Sequence, residues 1–576
     1  MHELGAVNGL SRRRAGWLVT GIGVAWLVVI GRLVQLQVWH QAELEHRAQR
    51  QREFVEEIAP RPGDIFDRQG RLLATSVRTR SLYVIPSHIA RPWTVAQQLA
   101  GALQLDGDDL FERVGRHADK HFLWVKRRLS DDEVERIREL NLGGDWWGFR
   151  DEFRRVYPQG AVAAQVIGLR DIDGKGRGGI EESCDAALQG TPGRRVLTRD
   201  ALGRVIDVCD DPAHPAADGK PVLLTLDTVV QLFAERELDR LVAEWKPESC
   251  CAVVLNPHTG DVLAMASRPT FDPNHPENAS EDAWKNRAIA DIYEPGSTIK
   301  PCFVAYGLDQ AVLSTDDHFY GERGVYRMGK RLLHDHHPYG DLSLTDVLVK
   351  SSNIGMAKIG ERLGNQRLHD AATAFGLGRK TGIELPGELP GILRPLGEWT
   401  SYSTGSVPMG HEIAVTPLQL ITAHAALANN GKLRRPRLVV SQDRDLAELH
   451  DVNQPIISPA VAKWLIEGPM HEVITRGTGR LAQVPGYHLF GKTGTAQCLS
   501  PNGGYLHGRY ISSFLCGAPL ENPRALVLVM VNQASGGGEA FGGRVAAPTA
   551  AEILRQTLVY LRVSPDEPLP PRMTRR

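Results

Sequence analysis

The sequence predicts an α+β protein of at least two domains, preceded by one membrane-spanning helix. Three observations carry that expectation. The chain has 576 residues, more than a single hydrophobic core usually organises. Its second half opens and closes on pairs of apolar, strand-like runs with helix-compatible segments between them, a pattern that places strands from both ends in one sheet. A long uncharged run stands near the amino terminus.

That run extends from Ala15 to Gly31, and its apolar character continues past Arg32 through Leu33, Val34, Leu36 and Val38. As a helix, residues 15–38 measure roughly 36 Å, enough to cross ~30 Å of hydrocarbon with some tilt. Arg32 can snorkel to an interface. A buried core helix is disfavoured by the position, by Arg12-Arg13-Arg14 just before the run and by Trp39 just after it. A cleaved signal is the stronger rival, but no small-x-small site follows; the chain goes straight into charged sequence. The arginines place the amino terminus in the cytoplasm, and everything beyond the anchor outside.

Composition excludes little else. Basic and acidic residues number 67 and 68, so no bulk charge draws the chain to nucleic acid. Seven scattered cysteines form neither a disulfide framework nor a zinc cluster; they read as small core residues with at most one incidental bridge.

After the anchor, residues 40–56 read as a polar helix, and residues 118–140 carry helical periodicity. Gly63 and Gly70 flank short strand-like pieces. The Pro-, Ala- and Asp-rich stretch 210–220 reads as a linker or exposed loop. Beyond it, Asp227 is a candidate N-cap for an amphipathic helix through Trp245. Residues 250–267 then read as a hairpin, and a second strand pair lies at 511–519 and 524–532. Helices are expected at 344–363 and 415–429. No internal repeat or low-complexity block is present. The expected divisions are a tail (1–14), the anchor (15–38), an extracytoplasmic domain (39–220), a catalytic domain (221–565) and a second tail (566–576).

Three short blocks carry chemistry. In Glu294-Pro295-Gly296-Ser297-Thr298-Ile299-Lys300-Pro301, Pro and Gly precede a helix-compatible stretch, and Ser297 and Lys300 share a face at i,i+3. A serine hydroxyl needs a base to become a useful nucleophile, and a lysine serves if burial or a neighbouring cation favours its neutral form. Pro301 falls within the first turn, where a missing donor costs least. Ser-x-x-Lys arises about once or twice by chance in such a chain; here it occurs once, in this turn-to-helix setting. Ser351-Ser352-Asn353 supplies a hydroxyl and an amide, although Ser and Asn are equally good helix caps. Lys492-Thr493-Gly494-Thr495 follows a strand-like lead-in. Its threonines share one face and can hold a carboxylate, while Gly494 lets a substrate backbone approach. Two decoys exist: Lys380-Thr381-Gly382 precedes a Pro-Gly loop, and Ser500-Pro501-Asn502 is followed by two glycines. Neither is assigned chemistry. His334-Asp335-His336-His337 looks like a metal tract, but adjacent histidines rarely project to one point, so neither metal nor cofactor is expected.

The order and spacing of the blocks, 54 positions from Ser297 to Ser351 and 139 from Asn353 to Lys492, resemble the penicillin-binding protein set of S-x-x-K, S-x-N and K-T-G. Over nearly its whole length the chain resembles class B penicillin-binding proteins, most of all the division-specific, FtsI-like group and its sporulation relatives. The phrases YPQGAVAAQVIG, DGKGRGGIEES, HEIAVTPLQL, FGGRVAAPTA and PGDIFDRQGRLLA also look like the family's, with Pro62 where a basic residue is expected. No repeat domain is expected beyond residue 565. The resemblance implies a transpeptidase domain of the serine β-lactamase-like fold (an antiparallel sheet with helices on both faces) above a pedestal of the dimerisation type. It implies catalysis by Ser297, Lys300, Ser351, Asn353 and Lys492, with Thr493, Gly494 and Thr495 binding substrate. The implied reaction is cross-linking of peptidoglycan stem peptides, a D-Ala-D-Ala donor to an amine acceptor, through an acyl-enzyme on Ser297. β-Lactams are implied as covalent inhibitors. A SEDS-type glycosyltransferase and divisome membrane proteins are the implied partners. An elongation-type transpeptidase, a β-lactam sensor and a carboxypeptidase of the same fold are the alternatives.

Overall fold

The computed structural model describes residues 4–41, 43–44, 53–199, 205–440, 453–499, 504–535 and 541–568. Helix α1 (Leu4–Val34) continues as a single π-helical turn to Trp39. Its stretch Arg14–Trp39 is long and apolar enough to cross a membrane, the one such helix among the described residues. Trp17, Leu18, Trp26 and Leu27 on it are all exposed.

The chain divides into two compact units, residues 1–61, 79–152 and 190–218 in one, and 62–78, 153–189 and 219–576 in the other. In the first, Glu53–Ile58, Gly193–Arg199 and Val205–Asp210 form a three-stranded antiparallel sheet. The end of the helix expected over 40–56 is therefore strand from Glu53 onward, while 45–52 lie outside the described residues. Helices Pro92–Leu103, Gly107–Arg116 and Asp131–Glu139 bury Leu99, Leu103, Leu110, Val114 and Ile137 in one small core. The helix expected over 118–140 is confined to Asp131–Glu139. Leu123–Leu129 is instead a strand paired with residues 80–84. Ser130 marks the switch, because its hydroxyl and Glu133 form a reciprocal capping box that starts the helix there.

The larger unit is built on a five-stranded antiparallel sheet. Asp227 caps helix α2 (Thr228–Trp245), accepting from the Val229 amide at 3.0 Å. Strands β1 (Ser249–Leu255) and β2 (Val262–Arg268) form the first hairpin. Helices α3 (Lys300–Asp309), α4 (Leu344–Val349), α5 (Asn353–Ala374) and α6 (Pro417–Ala428) follow. Strands β3 (Phe490–Leu499), β4 (Tyr505–Ala518) and β5 (Ala525–Asn532) and helix α7 (Gly542–Tyr560) close the unit. The strand order is β2-β1-β5-β4-β3. Period-two alternation sends Cys250, Ala252, Val254, Val527 and Val529 into a core with α2 and α7, and Cys251, Val253, Leu526 and Leu528 into a core with α3, α5 and α6. Both faces are covered, which is why these strands read as unbroken apolar runs. The fold class is that expected: α+β, an antiparallel sheet with helices on both faces.

All seven cysteines are free, so the single bridge allowed above does not form. Five are buried, Cys184 is half-buried and Cys209 is exposed.

A buried ion cluster holds residues 153–189 of the larger unit. Glu181, wholly inaccessible, accepts from Nε of Arg155 at 2.6 Å, Nε of Arg170 at 2.8 Å and the Tyr157 hydroxyl at 3.2 Å. Arg170 also pairs with Asp185 at 2.6 Å. Removing one partner of such a cluster strands the others without compensation. Glu181→Ala is expected to cost about 3–5 kcal/mol in equilibrium denaturation; a loss below about 1 kcal/mol, the level of an exposed pair, contradicts this account.

Candidate active site

Ser297 lies in a one-turn 3₁₀ helix, Gly296–Ile299, that runs directly into α3. The turn is held from both sides. The Gly296 amide donates to the Gly410 carbonyl at 3.2 Å, and the Thr298 hydroxyl donates to the Pro295 carbonyl at 2.6 Å. Gly296 has φ +54°, and a Cβ added at Gly410 lies 2.1 Å from the Gly296 oxygen. Both glycines are therefore demanded by geometry. Pro301 occupies the first turn of α3 as expected.

Lys300 and Lys492 are both fully buried, an arrangement lysine seldom adopts without partners. Nζ of Lys300 donates to the Ser351 carbonyl at 2.8 Å, to Oδ1 of Asn353 at 2.9 Å and to Oγ of Ser351 at 3.3 Å. Nζ of Lys492 donates to the same Oγ at 3.0 Å and to the Thr493 carbonyl at 3.1 Å. The Ser351 hydroxyl is thus bracketed by two amines. Burial lowers the Lys300 ammonium to about 7, against an opposing pull from the Asp335 carboxylate. Burial, then the neighbouring Lys300, holds Lys492 well below the ordinary lysine range. Taking the charge off either lysine relieves both desolvation and mutual repulsion. The hydrogen bonds of Lys300 Nζ lead to the 351–353 block, and among the described residues none joins it to Oγ of Ser297.

The 344–363 stretch is broken at this block: α4 ends at Val349, Ser351 takes a left-handed φ of +58°, and α5 starts at Asn353. Ser352 caps α5, accepting from the Gly355 amide at 2.9 Å. The same tripeptide is therefore both helix cap and part of the site. Asp335 joins it from outside. Its carboxylate accepts from the Ser352 hydroxyl at 2.6 Å, from the Ile354 amide at 3.1 Å and from the Asn353 amide.

Strand β3 supplies the opposite wall. Thr493 and Thr495 lie on one face, both lining the cavity that holds Ser297, and the hydroxyls of Thr493 and Thr478 are 2.7 Å apart. Gly494, which lines the cavity, is also needed for packing. A Cβ there lies 2.5 Å from the Ser513 hydroxyl, 2.7 Å from Thr298 and 3.0 Å from the Pro295 carbonyl, so the absent side chain lets the turn carrying Ser297 dock on the strand.

These blocks line one cavity of about 810 Å³, whose walls also carry His336, His337, Arg476, Arg480 and Arg544. Its cationic walls suit an anionic ligand. His411 lines it too, donating through Nδ1 to Glu294 at 2.8 Å; the Tyr505 hydroxyl donates to the same oxygen at 3.0 Å. Burial raises the Glu294 carboxyl, but these bonds outweigh it and hold the group below the usual range. Glu294, Asp335, His411 and Thr478 were assigned no role from sequence. Glu294 and His411 lay inside phrases already noted as family-like, whereas Asp335 was noted only within a metal-like tract. That tract supplies no metal-ligand group among the described residues. Of the decoy Lys380-Thr381-Gly382, the first two residues line a different cavity, and the Thr381 amide donates to Glu388 at 2.7 Å. The second decoy, 500–502, lies outside the described residues.

The arrangement, a serine on a glycine-bounded turn sharing one cavity with a threonine-bearing edge strand and with a second serine that two buried lysines bracket, is that of a serine acyl-transfer centre. Residues 250–555 match the penicillin binding protein transpeptidase domain, and residues 57–224 match the penicillin-binding protein dimerisation domain. The chain belongs to the class B penicillin-binding proteins. It is 31% identical over 562 residues to the probable peptidoglycan D,D-transpeptidase PenA of Neisseria meningitidis, covering 97% of this chain and 94% of that one. Peptidoglycan D,D-transpeptidase FtsI of Escherichia coli is 31% identical over 548 residues, covering 94% and 91%. Among solved structures, penicillin binding protein 3 of Mycobacterium tuberculosis, complexed with ampicillin, aligns with TM-score 0.69 and 27% identity over 90% of this chain and 99% of that one.

Because burial holds Lys300 near 7, its neutral form is present above that pH and lost below it. The rate of labelling by a fluorescent penicillin is therefore expected to rise through an inflection at about pH 7 and then level, falling about tenfold per pH unit well below it. A flat profile from pH 5.5 to 8.5 contradicts a lysine base.

Proposed function

We propose that this chain is a membrane-anchored serine D,D-transpeptidase that cross-links peptidoglycan during septal wall synthesis. One observation carries the chemistry: two fully buried lysines converge on one serine hydroxyl beside a second serine that opens to the cavity. Oγ of Ser297 attacks the D-Ala-D-Ala carbonyl of a donor stem peptide, and Lys300 takes its proton. The backbone N–H groups of Ser297 and Thr495 receive the oxyanion. Ser351, between Lys300 and Lys492, passes a proton to the departing D-alanine. Asn353 orients the substrate amide, and Thr493 and Thr495 hold its terminal carboxylate. The amine of a second stem peptide then forms the cross-link and releases Ser297.

The anchor is read as a single pass with the amino terminus in the cytoplasm, supported by Arg12-Arg13-Arg14 before the span. The catalytic unit is then extracytoplasmic. Glycan polymerisation is assigned to a SEDS-type glycosyltransferase, met together with other division proteins through the anchor and pedestal. The expected domain limits are kept: pedestal 39–220 and transpeptidase 221–565.

After reaction with a penicillin, mass spectrometry is expected to find the adduct on Ser297, and Ser297→Ala to give none; an adduct on another residue overturns the assignment. Supplying a stem-peptide donor with and without an amine acceptor tests the fate of the acyl group. Cross-linked product supports a transpeptidase, whereas only free acid makes the chain a carboxypeptidase. Depletion in the native host is expected to give filaments; rounded cells move the chain to elongation.

A further inference from the structure

Asp335 is not among the residues that the three sequence blocks supply, yet it makes more bonds to the second block than any side chain except Lys300. A short hairpin, Val325–Met328 with Arg331–His334, ends at it. The hairpin fixes its place: the Asp335 amide donates to the Gly324 carbonyl at 3.1 Å, and the His334 carbonyl accepts from Nδ2 of Asn353 at 3.2 Å. From there the carboxylate reaches the start of α5. One oxygen takes the Ser352 hydroxyl at 2.6 Å; the other takes the amides of Asn353 and Ile354. The first amides of a helix have no partner within it, and an anion there is favoured by both the free donors and the dipole. Asp335 is thus an external cap, added to the internal cap that Ser352 already gives.

The capped residues are the ones whose geometry the chemistry needs. Ser351 sits at φ +58°, a conformation unfavourable for a non-glycine residue unless its surroundings hold it. On one side it is held by Lys300, through its carbonyl at 2.8 Å, and by Lys492, through its hydroxyl at 3.0 Å. On the other side the chain leaves through Ser352 and Asn353, which Asp335 grips. We propose that Asp335 is a positioning residue of the acyl-transfer centre, fixing the Ser351–Asn353 turn and presenting a negative charge to the buried Lys300.

The second half of that role follows from what surrounds Lys300. Lys492 faces it from β3. His424 lies nearby on α6, buried, bonded to the Thr298 carbonyl at 2.8 Å and lowered to about 4 by burial, so it is neutral at working pH. Ser351 and Asn353 are neutral. Asp335 is the carboxylate that acts on Lys300, opposing the effect of burial. An opposite charge favours the protonated amine. Without it Lys300 sheds its proton at lower pH, and the acid limb of the acylation profile moves toward acid. A cap that only supported the helix has no such effect.

The inference rests on Lys300 acting as the base. The full-length, detergent-solubilised protein is labelled with a fluorescent penicillin across pH 5–9. If the parent chain shows no inflection, the reading of Lys300 fails before Asp335 is tested. If it does, three variants decide. Asp335→Asn keeps the volume and one acceptor oxygen but removes the charge. It is expected to slow acylation at pH 8 by about tenfold and to move the inflection acidward by about half a unit or more. Ser352→Ala leaves the carboxylate in place and is expected to slow acylation with the inflection unmoved. Asp335→Glu is expected to restore the parent inflection. An Asp335→Asn profile that is slower but unshifted reduces Asp335 to a structural cap and overturns the proposal, as does a profile identical to the parent's. Should Asp335→Asn give no adduct at any pH, recovery of labelling in Asp335→Glu supports the proposal, and its absence overturns it.

Discussion

The pairing of Lys300 and Lys492 across the Ser351 hydroxyl is the constraint on which the site depends. Two ammonium groups removed from water would each lose several kcal/mol of hydration. The fold tolerates them because three of the Lys300 donors find oxygens, and because neither amine is held to its ordinary basicity. What is unfavourable as an ion is useful as a base. The surrounding elements can be read as the means of keeping these amines dry and aligned: α3 carries one, β3 the other, and the left-handed turn at Ser351 places a hydroxyl between them. Loosening any of the three admits water, and water restores the charge.

The closeness of these elements is bought with glycine. Gly296, Gly410 and Gly494 lie where the turn carrying Ser297 meets its neighbours, and in each case the nearest atoms to an added Cβ include backbone. Backbone cannot rotate away as a side chain can, so the site leaves little room for sequence change even at positions that bear no chemistry. Gly494 has a packing need beside the substrate approach expected of it: an added Cβ there meets Ser513 on β4 and the turn carrying Ser297.

Much of the fold was legible because the signals are local and repeated. The hairpin at 250–267 and the strands at 511–532 announce themselves by apolar runs bounded by turn residues. The cap at Asp227 needs only its own neighbours. What stayed hidden is non-local. Leu123–Leu129 has a helical spacing that its pairing with residues 80–84 overrides. Asp335 carries no signature, because its partners lie 17 to 19 positions away and meet it only in the folded state. Glu294 and His411 are 117 positions apart and meet only in the folded state. That residues 62–78 and 153–189 belong with the catalytic unit was similarly unreadable: Asp67, for instance, accepts the Thr228 hydroxyl at 2.6 Å from 161 positions away.

The strand order β2-β1-β5-β4-β3 has a consequence in time. Cys251 on β1 pairs with Met530 on β5, and Thr493 on β3 with Phe514 on β4. During synthesis the first hairpin therefore waits, with one edge unsatisfied, until β5 has been made. Ser297 is emitted long before Lys492 exists, so a nascent or truncated chain carries a serine without its second amine. The sheet closes only when β3, β4 and β5 have all been made, and the interval before closure is when exposed strand edges are most open to wrong partners.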